Sequence, residues 1–171
     1  MNGRRMIGSI TGGLVAGLGL TAMMMLQEKK TGKPSELTEL ERSSAATLGQ
    51  PTPHSEQLPS ATEQAVTQGG HLALSALAGA AYAATSVDDA DVVVSGVAFG
   101  LAFYAVAHWI TGPALGVKPR EWRSDAQTIG IHMMNHVLFG LITAAVARAA
   151  SRADGEPPVA TKHQPLTRKR P

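Results

Sequence analysis

Hydrophobic and polar positions along this chain separate into long blocks instead of alternating at the short periods of helices or strands that lie against water. Residues 6–27, 64–87, 92–117 and 126–147 contain no Lys, Arg, Asp or Glu. A helix of a soluble domain keeps a polar, usually charged, face toward solvent, and none of these windows can supply one from charge. An uncharged stretch of about 20 apolar residues is what a helix needs to cross roughly 30 Å of hydrocarbon, where lipid offers the backbone no hydrogen-bond partner. All four windows are long enough. The pattern predicts an all-α integral membrane protein, a bundle of four transmembrane helices.

The charges frame the expected elements. A short basic N-terminus, 1–5, precedes a first span over 6–26, which ends before Glu28, Lys29 and Lys30. Residues 27–67, rich in Glu, Ser, Thr and Pro, read as a polar, partly disordered loop. A second span over 68–86 runs into the acidic turn Asp88, Asp89 and Asp91, whose carboxylates suit the N-terminus of a third span over 91–110. Pro113, Gly116 and Pro119 then predict an irregular loop over 111–124. Ser124 and Gln127 stand at capping-box spacing before a fourth span over 125–148, and 149–171 reads as a polar, basic, disordered tail. Arg4 and Arg5 before an apolar core also suit a secretory signal. The core exceeds the usual length of about 7–15 residues and no Ala-x-Ala site follows, so the segment is expected to stay as an anchor.

Composition narrows the function classes. Without cysteine there is no disulfide framework, zinc ribbon or thiol nucleophile. A net charge of +2 and 4% aromatic residues leave little material for a nucleic-acid surface, so the expected partner is the lipid bilayer. No Gly-x-Ser-x-Gly elbow marks a hydrolase, and the Gly-rich first helix lacks the Gly-Lys-Ser/Thr ending of a phosphate loop. Orientation is balanced. Arg4, Arg5, Arg148 and Arg152 flank the side of the termini, and Lys29, Lys30, Lys33, Lys118, Arg120 and Arg123 the other. The basic end Arg168-Lys169-Arg170 inclines the reading to cytoplasmic termini, although the flanking count leans the other way.

Small residues recur at four-residue spacing: Gly8 and Gly12, Gly13 and Gly17, Gly96 and Gly100, with Ser75, Gly79 and Ala83 on the second span. Such faces let backbones approach closely within one chain, or between protomers of a homo-oligomer. Trp109 and Trp122 flank the exit of the third span as expected interfacial anchors.

Four of the six histidines fall in the windows: His71, His108, His132 and His136. Antiparallel spans bring the start of the second, the end of the third and the start of the fourth to one side of the bilayer. Each histidine continues a small or polar stripe: His71, Ser75, Gly79, Tyr82; Gly96, Gly100, Tyr104, His108; and His132, His136, Gly140, Thr143, with Asn135 beside the last. Imidazoles are costly against lipid, so these stripes are expected to face inward. Three readings stay open. His71, Tyr104, His108, Asn135 and His136 form a polar pocket that fixes packing; they line a conduit or carrier for protons or a small solute; or His71, His108, His132 and His136 bind a metal ion or haem, with His132 and His136 sharing the ion. No cofactor is otherwise expected.

The stretch from His71 to Arg148 resembles the YagU-like family of small bacterial inner-membrane proteins. The resemblance rests on His71-Leu-Ala-Leu-Ser-Ala-Leu-Ala-Gly-Ala-Ala-Tyr82, on Ala107-His108-Trp-Ile-Thr-Gly-Pro113-Ala-Leu-Gly116-Val-Lys-Pro119 and on His136-Val-Leu-Phe-Gly140. It implies a four-helix, multi-pass protein of the bacterial inner membrane with no established activity. His71, His108 and His136 match family histidines and His132 does not; the polar insert after the first span is this chain's own. No catalytic residue carries over. The expected function is structural or stress-related.

Overall fold

Large aliphatic side chains point outward and small or hydroxyl-bearing ones inward, the reverse of a water-soluble domain. Leu26, Leu77, Val94 and Ile110 are at least 60% exposed, while Ser9, Ala16, Ser75, Thr143 and Ala144 are almost completely buried. This distribution belongs to a computed structural model that describes residues 3–87 and 89–153. The described residues form five helices: α1 (Gly3–Thr31), α2 (Glu36–Thr47), α3 (Ala61–Thr85), α4 (Val92–Ala114) and α5 (Ala126–Arg152). A short 3₁₀ turn, Glu121–Arg123, precedes α5.

The fold is all-α, and three helices, α1, α4 and α5, are long and apolar enough to cross a membrane, where four were expected. The fourth, α3, has sufficient length at 25 residues. Its first half carries Gln64, Gln68, Gly69, Gly70 and His71, and its second half is mostly alanine, so it falls short in apolarity rather than in helicity.

Boundaries differ from expectation for identifiable reasons. Helix α3 begins at Ala61 rather than near Gln68 because Ser60 and Glu63 form a reciprocal capping box. The stretch 27–67 holds α2, capped by Ser35, so it is not simply a loop. Asp125, rather than Ser124, caps α5 and accepts from the Thr128 N–H at 3.0 Å. Asp91 caps α4 through the amides of Val93 and Val94. Helix α4 outlasts its expected end at residue 110. It widens to π geometry over Ala105–Thr111 and closes with the turn Gly112–Ala114. Pro113 has no N–H to give, and the longer reach of the Gly112 amide to the Ala107 carbonyl accommodates it. The chain leaves the helix through Gly116 at φ 71°, a left-handed conformation that suits glycine. Of the tail expected over 149–171, positions 154–171 lie outside the described residues.

The long helices touch through glycine. Helix α1 has two such faces: a Cβ on Gly12 would meet Thr143 of α5 at 2.8 Å, and one on Gly13 would meet Ser75 and Gly79 of α3. Gly96 and Gly100 of α4 abut α5 at Leu141 and Val137, each 2.8 Å from an added Cβ. The faces through Gly8, Gly12, Gly13, Gly17, Gly96 and Gly100 are thus occupied within the chain. Between the helices lie Ala16, Ala78, Phe99, Phe103 and Phe139, and beyond them a layer of Tyr82, Val92, Ala144 and Ala147. The Tyr82 hydroxyl pairs with Ser95 at 2.8 Å.

Helix α3 lies antiparallel to α1 over its whole length. Arg5 of α1 donates to the Ser86 hydroxyl at 2.6 Å; midway, Gly79 abuts Ser9. Further along, His71 Nδ1 is 3.0 Å from the Thr21 hydroxyl, and Gln64 donates to Glu28 at 2.5 Å.

A methyl group at position 140 would strike the backbone of Gly96 and Gly100, whereas Gly19 faces open space. Gly140→Ala is expected to cost about 1–3 kcal/mol through overpacking. Gly19→Ala is expected to be neutral or stabilising by up to about 1 kcal/mol. Melting both variants in one detergent checks the pair, and equal midpoints would refute the close helix approach.

Candidate functional site

The end of α1, the whole of α2, the start of α3, the end of α4 and the start of α5 meet at one pole of the bundle. Two buried carboxylates there organise the polar segments. Glu28, near the end of α1, accepts from the Ser35 amide and the Thr38 hydroxyl, each at 2.7 Å, and from Gln64. This ties the approach to α2 back onto α1 and α3. From α2, Arg42 pairs with Glu63 at 2.6 Å and donates to the carbonyls of His54, Ser55 and Gln57 at 3.1, 3.3 and 2.7 Å. The Pro-rich stretch therefore wraps a guanidinium that satisfies its carbonyl groups.

The second carboxylate, Glu121, lies in the 3₁₀ turn and is completely buried. Its Oε1 accepts from the Tyr104 hydroxyl at 3.2 Å and from His132 Nδ1 at 2.6 Å. Its Oε2 lies 3.4 Å from Lys118 Nζ and 3.2 Å from His108 Nδ1. Lys118 donates to His108 Nδ1 at 2.7 Å and to Glu36, the first residue of α2. His132 Nε2 donates to the other Glu36 oxygen at 2.5 Å.

His132 thus presents both ring nitrogens to carboxylates. A neutral imidazole has one N–H and would turn a lone pair toward one of them, so the arrangement is that of an imidazolium between Glu36 and Glu121. His108 differs. Its Nδ1 accepts a hydrogen bond from the Lys118 ammonium, and the same ammonium offsets the approach of Nδ1 to Glu121. Two carboxylates therefore face one ammonium and one imidazolium, a balanced set. Burial alone would raise the Glu121 carboxyl, yet the His132 hydrogen bond and the Lys118 charge hold it below its ordinary value. Burial acts on Glu36 in the same direction, and the hydrogen bonds from His132 and Lys118 outweigh it, lowering the group to about 2.

Not all the residues singled out in the sequence join this network. Tyr104, His108 and His132 do. His136 donates from Nδ1 to the His132 carbonyl at 2.9 Å and lays its ring against Phe103, with centroids 5.0 Å apart, and against His108 at 4.9 Å. It borders the cluster without bonding its carboxylates. His71 pairs with Thr21 on α1 instead. Asn135 is half-buried on α5 and has no hydrogen bond to the cluster among the described residues. Pro113 ends α4, and Gly116 and Pro119 bracket Lys118.

The expected metal set of His71, His108, His132 and His136 is not assembled. The group of potential ligands that does converge is Glu36, His108 and His132, with one atom from each within 4.8 Å of the others. His136 does not join that group: both ring nitrogens of His132 face Glu121 and Glu36, while Nδ1 of His136 bonds the His132 carbonyl. Sequence reasoning missed Glu36, Lys118 and Glu121, which lie outside the uncharged windows. One signal was present: Glu121 is the one acid between Lys118 and Arg123, next to Trp122 at the expected interface. Trp109 and Trp122 pair at 5.8 Å beside it, half-exposed, with the Arg120 guanidinium 5.4 Å from the Trp122 ring.

Comparison with protein-family models, curated proteins and solved structures finds no match to this chain.

A carboxyl held down in the folded state adds stability above its unfolded pKa and loses it as pH falls through the folded value. For Glu36 that window runs from the ordinary 4.5 down to about 2. The melting midpoint in detergent is expected to fall over this range, and less steeply in Glu36→Gln. Parallel pH profiles for the two proteins would show that the Glu36 contacts contribute nothing.

Proposed function

We propose that this chain is a four-pass protein of a bacterial inner membrane, with cytoplasmic termini, whose role is structural rather than catalytic. Its polar pole clamps the segments outside the membrane onto the bundle. The observation that carries this reading is Glu121. One carboxylate with no solvent exposure joins α4 through Tyr104, the following loop through Lys118 and α5 through His132, while Lys118 and His132 both reach α2 at Glu36. Removing one member of such a buried set strands the charges of the others, at about 3–5 kcal/mol.

The fourth pass is α3. Support comes from its antiparallel course beside α1, from Ser86 at Arg5 to Gln64 at Glu28, so it traverses the same thickness as a helix that is long and apolar enough to span. Leu74 and Leu77 on α3 are 59% and 66% exposed, suited to acyl chains. Its polar groups turn toward α1, which is how a helix of modest apolarity crosses when neighbours cover it. Membership of the YagU-like family, argued from the His71–Tyr82, Ala107–Pro119 and His136–Gly140 stretches, belongs to the same proposal. A proton or solute conduit has less support, because Ala16, Ala78, Phe99, Phe103 and Phe139 fill the bundle beyond His136.

Reporter fusions after residues 50, 87, 117 and 153 test the topology. Four passes require the sites at 50 and 117 to share one compartment and those at 87 and 153 the other. Two consecutive sites in one compartment would overturn the reading. For the clamp, Glu121→Gln is expected to lower stability by about 3 kcal/mol or more and to open the 48–60 stretch to protease sooner than in the parent. An unchanged cleavage rate would count against it.

A further inference from the structure

Potential metal ligands also converge at the polar pole. Glu36, His108 and His132 each place a ligand-type atom within 4.8 Å of the others. Among those atoms stands a positive group, the Lys118 ammonium, which bonds Glu36, donates to His108 Nδ1 at 2.7 Å and lies 3.4 Å from Glu121. Behind His132, fully buried Glu121 accepts from Nδ1 at 2.6 Å. That carboxylate–histidine contact is the one that orients metal-ligating imidazoles and raises their basicity, and it leaves Nε2 as the outward atom, toward Glu36. The Glu36 side chain is 49% exposed, which gives the site a route to solvent.

We propose that Glu36, His108 and His132 bind a divalent metal ion of the zinc class, and that Lys118 holds the ion's place until the metal displaces it. Two imidazoles and one carboxylate are a borderline ligand set suited to Zn²⁺, with the remaining position left to water. Charge is conserved in the exchange. Before binding, Lys118 and the His132 imidazolium balance Glu36 and Glu121. On binding, Lys118 swings to solvent, His132 gives its Nε2 proton to bulk water and keeps the Nδ1 proton on Glu121, and the divalent ion carries the two positive charges. His108 coordinates through the Nδ1 that now accepts from Lys118. Tyr104 and His136 face the same cluster, and neither supplies a ligand. The proposal uses the cluster of the clamp but fails independently of it: melting and proteolysis test the clamp, and metal titration tests the site.

The experiment is calorimetric titration of chelator-treated, detergent-solubilised full chain with zinc chloride, with proton release followed in weak buffer. Cobalt(II) absorption reports the coordination geometry. The parent is expected to bind about one zinc per chain and to release about one proton. Glu36→Gln and His132→Asn should abolish this binding, Glu121→Gln should weaken it roughly 10- to 100-fold, and His71→Ala should leave it unchanged. Lys118→Met, which removes the competing cation, should bind about tenfold more tightly. If His132→Asn does not fold, Glu36→Gln and Lys118→Met still decide the matter. Absence of binding in both parent and Lys118→Met overturns the proposal. So does binding in Glu36→Gln equal to the parent, which would place the metal at another histidine, such as exposed His54.

Discussion

A carboxylate removed from water must find positive charge and hydrogen-bond donors or give up its ionisation, and Glu121 meets that demand from three segments at once. Its partners fix one another. His132 can bridge Glu121 and Glu36 only if α2 is brought to the start of α5, and Lys118 reaches the same pair only because the chain turns at Gly116 after α4. The π-helical stretch belongs to this arrangement. It lets the helix pass Pro113 while His108 stays beneath Lys118 and beside Tyr104, ring centroids 5.1 Å apart.

The second constraint is the distance between backbones. Lipid competes for apolar side chains as well as another helix does, so helices in a bilayer gain from close van der Waals contact rather than from hiding leucine. Glycine and serine at the α1–α3, α1–α5 and α4–α5 contacts provide it. Ser75 returns its hydroxyl to the His71 carbonyl and Thr143 to that of Phe139, each at 2.8 Å, whereas the buried Ser9 hydroxyl has no partner among the described residues. The same faces that suggested pairing between protomers are occupied inside one chain.

Helices and their inward stripes were legible in the sequence because they follow from local rules. Charge-free windows mark the long segments, and four-residue spacing marks Gly96, Gly100 and Tyr104 as one buried line. The capping box of Ser60 and Glu63 is a local signal too, but the sequence reading passes over it, and it moves the start of α3 from the expected 68 to Ala61. What could not be read was the company the histidines keep. Windows chosen for lacking charge cannot contain Glu36, Lys118 or Glu121. Glu36 and His132 are 96 residues apart and meet only because the polar stretch after α1 folds back over the pole. Composition made that stretch look like a solvated linker. Its charges are instead used inward: Glu28 and Arg42 are each buried and surrounded by hydrogen-bond partners.

The polarity of the molecule follows from these two constraints acting at different depths. Close helix contact needs small residues and leaves room between the helices for the aromatic layer of Phe99, Phe103 and Phe139. That layer cannot solvate charge, so ionised groups gather where loops can bring counter-charges, at the pole of α2. At the other end Arg5 is met by the Ser86 hydroxyl and carbonyl at the close of α3, where a helix C-terminus favours a cation. Arg5 meets a helix terminus at that end, and at the other a connected set of charges joins Glu36, Lys118, Glu121 and His132.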